Sequence, residues 1–292
     1  MKPTAVLLTL GSLAALTFVR GADAPPPAPA APATASASAP MPVAALQPGE
    51  SFTFRVGWGI FGSAGEIKVS ADIPTSAPQP QTRVITQTRT AGTIGFLYPF
   101  TAEAVAMFDP ADGRMLSAVA ETKAGSKATK MSVVFDYPRA QATYTDPLRP
   151  ARNATLTLPP GRPLDLITVL IQARTWNLKP GEAHPALVLF DNDFYPLTIT
   201  AQKSEKIFTP KGKRDAMLLI PTMNGPPKGM FSKGGGVKVW ISNDTDRLPL
   251  QFEVSVKVGT ATATLTDYRP PGSAPPKEPE AAPRAPTPRQ RQ

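Results

Sequence analysis

The chain has 292 residues, enough for one or two domains, and carries 31 Lys and Arg against 22 Asp and Glu, a formal net charge of +9. It contains no Cys, which excludes disulfides, thiol chemistry and lipidation at a cysteine. Part of its 36 Pro lies in two segments near the ends of the chain, which leaves room for one folded domain between them.

The first 24 residues have the layout of a secretory signal peptide. Lys2 supplies a positive start, an apolar stretch follows at 5–19, and Ala22-Asp23-Ala24 matches an A-x-A cleavage site. The apolar stretch falls short of the roughly 20 residues that a spanning helix needs. The sequence therefore predicts a signal peptide at 1–24 and a periplasmic protein that is exported and not lipidated. An uncleaved N-terminal anchor is the alternative.

Two segments are too rich in Pro and Ala to bury a core, and we predict a linker at 25–45 and a disordered tail at 270–292. Between them, 46–269 is predicted to form a single β-rich domain. A basic exported domain is suited to anionic envelope lipid or polysaccharide, with peripheral contact to a membrane, whereas the export signal argues against nucleic acid. Charge that serves only solubility is the alternative. The sequence leaves the oligomeric state open.

The first half of the domain alternates apolar and polar residues with a period of two, which is typical of strands with one buried face. The alternation begins at 52–58 and is followed by a glycine-rich stretch at 57–65. An aromatic insertion at 94–100 interrupts it. The remaining strands of this half are predicted at 66–73, 83–90, 102–109, 115–123, 128–136 and 140–146.

One segment changes from strand to helical periodicity. Residues 165–176 place apolar side chains at helical spacing, and Asp165 stands where an N-cap residue is expected. Apolar residues on more than one face, Leu170 among them, indicate a buried helix. Gln172 is expected on its most polar side. We expect the sheet to curl around this helix.

Strand alternation resumes after the helix. It predicts strands at 187–190, 194–202, 204–208 and 214–222, and three successive strands within 234–265. The predicted fold class is therefore mainly β, with a strongly curved antiparallel sheet or incomplete β-barrel packed around one buried helix at about 165–176.

No pattern predicts catalysis or metal binding. His184 is the only histidine and no serine lies in a GxSxG elbow, so a catalytic triad lacks support. The clusters at 191–193 and 243–246 resemble calcium loops, but they depart from the EF-hand pattern and suit tight turns. The glycines within 57–62 precede more strand rather than a helix, which argues against a dinucleotide site. We predict no catalytic residue, no metal and no cofactor.

Aromatic side chains supply the one site hypothesis. An apolar ligand pocket would be lined by Trp58, Phe61, Phe96, Tyr98 and Phe100. The same side chains could equally form part of an ordinary core, and the sequence leaves both alternatives open. A curved sheet around a helix can leave space for an acyl chain.

Several stretches, taken in order, resemble those of one family. They are LQPGE at 46–50, Ala64-Gly65-Glu66, the helical stretch from Asp165-Leu166 through Arg174, Gly181, Glu205-Lys206-Ile207, Gly212, Val239-Trp240-Ile241-Ser242, Asp244, Arg247 and Leu248-Pro249. Over about 46–269 the chain resembles an uncharacterised bacterial exported family, domain of unknown function 3108. This resemblance implies an exported, mainly antiparallel β domain without an established activity, catalytic residues or cofactor.

Two functions remain open. The first is a non-catalytic exported envelope protein, a binding or scaffold module for an apolar or anionic envelope component, either lipid or polysaccharide. The alternative is a carboxylate-dependent hydrolase acting on envelope polysaccharide, although the acidic residues mostly occupy polar strand positions. An apolar slot beside Trp58 and Phe96 would favour the binder, and two facing carboxylates in a cleft would favour the enzyme.

Overall fold

The protein is described from a computed structural model, which covers residues 45–75, 80–228, 231, 235–256 and 259–273. The predicted signal peptide (1–24), all but one residue of the predicted linker (25–45) and residues 274–292 of the predicted tail lie outside these ranges. Within the described ranges, no helix has the length and apolar character needed to cross a bilayer.

The described residues form fifteen strands and two α-helices. In chain order these are β1 Ser51–Trp58, β2 Phe61–Asp72, β3 Thr82–Thr90, α1 Gly92–Leu97, β4 Phe100–Phe108, β5 Met115–Ala124, β6 Lys127–Asp136, β7 Gln141–Thr145, β8 Ala154–Thr157, β9 Pro163–Leu164, α2 Leu166–Gln172, β10 Ala183–Phe190, β11 Asp193–Thr209, β12 Gly212–Met223, β13 Gly236–Ser242, β14 Pro249–Val256 and β15 Gly259–Arg269. Short 3-10 helices occupy Pro150–Arg152 and Ala173–Trp176.

All fifteen of these strands belong to one sheet, in the order β8-β7-β6-β5-β4-β3-β2-β1-β15-β14-β13-β12-β11-β10-β9. Every neighbouring pair is antiparallel except β9 with β10, which are parallel. The first and last strands pair along their lengths, with Ser51 opposite Arg269. The two edges are β8 and β9, and because they do not pair with each other, the barrel is incomplete. The predicted mainly β class with a curved, unclosed sheet is confirmed.

The concave face of the sheet carries the core. Alternate residues of β1 point inward, and Phe52 and Phe54 are fully buried there. Phe54 packs against Phe252 of β14 with ring centroids 4.9 Å apart, and Phe52 stacks on Tyr268 of β15 at 5.0 Å. These contacts join the strands at the middle of the sheet order, where β1 meets β15.

Helix α2 lies against the concave face, and all seven of its residues are buried. Asp165 caps its first turn by accepting a hydrogen bond from the Thr168 backbone N–H at 2.9 Å. The segment continues as the 3-10 helix up to Trp176 and ends at Asn177, whose φ of 48° is left-handed. The helical region is thus near its expected position, but only part of it is α-helical.

Two expectations about the helices need correction. The prediction of a single helix is not confirmed, because the described chain also contains α1 within the aromatic insertion. No pattern in the sequence indicated α1, because the helix contains two glycines, is followed by Pro99 and lacks a side-chain cap. Gln172 does not face solvent either: its side chain is buried and its Nε2 donates to Thr175 Oγ1 at 2.9 Å.

Two predicted strands, 194–202 and 204–208, are one continuous strand, β11. Its register with β12 shifts between Ala201 and Lys203, so Gln202 is an extra residue in a β-bulge. The extra residue changes which alternate positions face inward. The apolar–polar alternation of the sequence therefore indicates two strands at a point where the structure has one continuous strand.

Candidate functional site

The concave face is thinly filled where β4 and β5 cross it. Ala102, Ala104 and Ala106 of β4 and Ala118 and Ala120 of β5 occupy inward positions. A cavity of about 90 Å³, the inner cavity, lies between these alanines and the start of α2, where Leu166 and Ile167 line it. Its other lining residues are Thr86, Met115, Thr129, Met131, Tyr144, Arg149, Asp165, Leu189, Phe190 and Asp191. The cavity exists because alanine leaves empty the space that a larger core residue would fill, and its lining is mainly apolar.

Polar groups meet at one side of the inner cavity. The Tyr144 hydroxyl donates to Asp191 Oδ1 at 2.8 Å, and Arg152 forms an ion pair with the same carboxylate. Arg149 Nε donates to the fully buried Asp146 at 2.9 Å. This group links the region of β7 and β8 to the β10–β11 hairpin, across the gap in the sheet. Its charged members pair with one another, so the apolar lining is what the cavity offers a ligand.

Two ionisable groups that line the inner cavity have raised pKa values. Burial, followed by the hydrogen bond to Asp191, raises the pKa of Tyr144. Burial also raises the pKa of Asp165, although hydrogen bonds from Thr168 oppose the shift. Both side chains have structural contacts: Tyr144 bonds to Asp191 across the gap in the sheet, and Asp165 caps α2. The raised pKa values favour the neutral form of each group.

The five aromatic residues proposed from the sequence lie at one end of the sheet but do not share one environment. Trp58 is half-buried and is the register partner of Phe61. Phe61, Phe96 and Tyr98 are 41%, 86% and 37% exposed, whereas Phe100 is buried in the interior. None of the five lines the inner cavity. The apolar pocket around them stays a prediction.

The ring of Trp58 packs over a glycine of the neighbouring strand. The ring of Trp58 covers Gly259 at the start of β15, where an added Cβ would lie 3.2 Å from the ring. Gly259 also has a φ of 136°, which disfavours any other residue. The Trp58 ring therefore packs on backbone at this point.

The sequence contains a signal for the inner cavity in the spacing of its alanines, not of its aromatic residues. Alanines recur at every second position in AEAVA (102–106) and AVA (118–120), which places them on one face of each strand. Small residues at successive inward positions indicate unfilled space once the two strands are known to be neighbours. That pairing is Ala104 with Ala120 and Ala106 with Ala118.

Acidic side chains face each other on the outer surface of the sheet. Glu103 of β4 lies directly opposite Glu121 of β5, and both line a concavity of about 570 Å³. Gln87 Nε2 donates to Glu103 at 2.8 Å, and Lys130 pairs with Glu121. The hydrogen bond and charge of Lys130 lower the pKa of Glu121, which keeps this group ionised and unsuited to act as a general acid.

The residues that the sequence offered as a candidate catalytic histidine and as calcium-like loops make contacts within the fold. His184 stacks on Trp176 with ring centroids 4.0 Å apart, and burial lowers its pKa. Asp191 is engaged by Tyr144 and Arg152, and Asp244 by Arg214. In the part of the chain that the structure describes, no group of three or more His, Cys, Asp or Glu residues could hold a metal ion.

Comparison with known proteins gives a family but no activity. No curated protein matches the chain. Among solved structures, the chain is similar to a β-barrel-like protein of domain of unknown function DUF1849 from Brucella abortus, at 8% identity and a TM-score of 0.49, covering 75% of this chain and 96% of that one. A DUF1089 family protein from Pseudomonas aeruginosa is similar at 12% identity and a TM-score of 0.35, covering 63% and 87% of the two chains. The family described as protein of unknown function, DUF3108, matches residues 53–266, and the chain belongs to that family.

Proposed function

We propose that this protein is a non-catalytic exported envelope protein that binds the apolar chain of an envelope lipid in the inner cavity. The observation that carries the proposal is the half-enclosed, alanine-lined space between β4, β5 and α2. Ligand sites are typically concave and mostly apolar, with a few polar groups at fixed positions. At about 90 Å³ the cavity is smaller than the roughly 150 Å³ that accommodates benzene, so it suits the end of a chain rather than a whole lipid.

A lipid chain is favoured over polysaccharide by the chemistry of the lining. Alanine and methionine side chains offer no hydrogen bonds to sugar hydroxyls, and the nearby carboxylates of Asp146 and Asp191 are already engaged. In this proposal α2 is the element around which the sheet curls, and its first turn closes one side of the cavity.

The binding experiment uses a fluorescent fatty acid, cis-parinaric acid, titrated into purified protein. Ala104 is half-buried and lines the cavity, so Ala104→Leu should occupy the space and weaken binding at least tenfold. The matched control is Val119→Leu on the outer face of β5, where the side chain is 41% exposed. Its affinity should equal that of the unaltered protein. Unchanged binding by a stably folded Ala104→Leu variant would exclude the cavity as the site.

Export is the second part of the proposal, and it rests on the layout of residues 1–24. If the A-x-A site is used, the mature chain begins at or within a few residues of Pro25. The N-terminal sequence of protein recovered from the periplasm tests this, and recovery of intact Met1 there would contradict cleavage.

The facing carboxylates on the outer surface support a second candidate, hydrolysis of envelope polysaccharide. Glu121, which stays ionised, would be the nucleophile and Glu103 the general acid, since side chains directly opposite on antiparallel strands have Cβ atoms about 5 Å apart. The test is release of reducing ends from envelope polysaccharide by the unaltered protein and by Glu103→Gln. No release, or equal release by both, removes this candidate.

A further inference from the structure

A second apolar surface lies outside the inner cavity, at the end of the sheet where β1 turns into β2. It comprises Ile60, Phe61, Phe96, Leu97 and Tyr98, called the apolar tip from here on. Ile60 and Phe96 protrude most, with 93% and 86% of their surface exposed, and Leu97 is 56% exposed. Exposed apolar groups this close together are unusual on a protein surface and mark interaction sites.

The apolar tip is held by backbone contacts. The Ala91 N–H, just before α1, donates to the Ala64 carbonyl of β2 at 2.9 Å, which fixes α1 beside the β1–β2 hairpin. Thr90 Oγ1 bonds to the Tyr98 carbonyl at 3.0 Å and accepts from the Phe100 N–H at 2.9 Å. The exposed side chains therefore stand on an ordered support, so little conformational entropy is lost when they enter a partner.

The hairpin beside the apolar tip carries two exposed lysines. Residues 57–65 and 91–101, which form it, contain no charged side chain. The β5–β6 hairpin adjoins them, because the Gly125 N–H donates to the Pro99 carbonyl at 3.0 Å, and it presents the exposed Lys123 and Lys127. Neither lysine forms a salt bridge within the described residues, whereas Glu66 and Glu121 on the adjoining outer face are paired with Arg89 and Lys130.

We infer that the apolar tip docks on the surface of a bilayer that contains anionic lipid. Protruding apolar side chains enter the boundary between headgroups and acyl chains, and adjacent lysines meet the anionic headgroups. A protein partner would need a recess that fits both Ile60 and Phe96, while a bilayer accepts any protruding apolar group. A second copy of this chain is disfavoured, because the same lysines would face each other.

The test is cosedimentation of the chain from Pro25 onward with vesicles, so that the apolar stretch 5–19 cannot bind lipid itself. One set of vesicles is pure phosphatidylcholine, and the other contains phosphatidylglycerol at one part in four. We expect binding to the anionic vesicles. The Ile60→Ser/Phe96→Ser variant should bind at least tenfold more weakly, because two apolar groups would no longer enter the interface. The Lys123→Gln and Lys127→Gln variants should each bind about fivefold more weakly.

Two control variants separate this surface from general stickiness. Val134 is 57% exposed on the outer face of β6, and Val134→Ser should bind like the unaltered protein. Phe208, 73% exposed near the β11–β12 turn at the other end of the sheet, has Lys213 over its ring, and Phe208→Ser should also bind normally. All variants alter exposed residues, so equal thermal melts are expected and confirm folding.

Three outcomes would overturn the inference. The first is no binding of the unaltered protein to either type of vesicle. The second is an equal loss of binding in Phe208→Ser or Val134→Ser. The third is a dimer in size-exclusion chromatography that the Ile60→Ser/Phe96→Ser variant converts to monomer, without any vesicle binding, which would assign the apolar tip to a second copy.

Discussion

Glu50 shows how a single buried charge joins distant parts of this chain. Its carboxylate has no solvent exposure and lies 2.7 Å from Arg174 Nη2, at the end of the helical segment. It also accepts from the Tyr268 hydroxyl at 3.1 Å and from the Gln47 N–H at 3.1 Å. Arg174 in turn lies over the Phe52 ring, 5.1 Å from its centroid. One carboxylate thus connects the turn before β1, the helical segment and β15.

Glu50→Gln should destabilise the fold by about 3 kcal/mol, because it leaves the largely buried Arg174 without its counter-charge. The measurement is the free energy of unfolding from denaturant titration. Glu66→Gln is the matched control, since its ion pair with Arg89 is exposed and worth less than about 1 kcal/mol. Similar losses in the two variants would show that the Glu50 ion pair contributes no more than a surface pair.

Two tyrosines that pack against the core, Tyr137 partly buried and Tyr195 buried, predict a loss of stability in alkali. Burial raises the pKa of Tyr137 from 10.0 to about 12, and it raises the pKa of Tyr195 from 10.0 to about 12. A folded-state pKa above the unfolded value means full stabilisation below pH 10, lost as the pH rises through 12. Phenolate absorbance and the free energy of unfolding, followed with pH, check this. Ionisation of every tyrosine near pH 10 in the folded protein would contradict it.

At the scale of elements, α2 is short for a helix that fills a core, so its burial has to come from packing. Leu170 is 1% exposed and Ile171 is fully buried. A helix of seven residues is unstable alone in water, and its contacts with the sheet must stabilise it.

Leu170→Ala should cost about 2–5 kcal/mol, from lost transfer free energy and from the cavity left behind. Since domains are typically stable by only about 5–15 kcal/mol, the variant should melt much earlier or fail to accumulate. Gln172 is unsuitable as a control because it is buried. Val134→Ala on the outer face, 57% exposed, should change stability by less than about 1 kcal/mol. Equal, small effects at Leu170 and Val134 would mean that α2 contributes little to the core.

At the scale of the whole molecule, alternation of residues predicted most strands and the fold class. It succeeded where one face is apolar, as in β1 and in the strands between Gly236 and Arg269. It failed at α1, where glycines carry no periodic pattern, and at the bulge in β11, where one extra residue changes the inward positions. The inner cavity could not be located, because it depends on which strands become neighbours.

The strand order gives this sheet an unusual relation to its own sequence. Starting at β9, the neighbours are β10 to β15 and then β1 to β8, all in chain order except for the junction between β15 and β1. The two ends of the described chain meet at that junction, where the Gly272 N–H donates to the Pro48 carbonyl at 3.0 Å. The segment from Thr157 to Pro163 joins the two unpaired edges of the sheet.

In a circular permutant that begins at Gly161, with residues 273 and 45 joined by a flexible linker, the fifteen strands would therefore follow one another across the sheet in chain order, and every neighbouring pair except β9 with β10 would be antiparallel. Every strand would pair only with the strand before and the strand after it, so the mean sequence separation of contacts would fall. Because folding rates rise as this separation falls, the permutant should refold faster than the natural chain in stopped-flow experiments. Slower refolding would mean that closure between β1 and β15 does not limit the natural rate. The permutation moves the opening of the described chain from the junction between β15 and β1 to the two edges of the sheet, and it separates no pair of neighbouring strands.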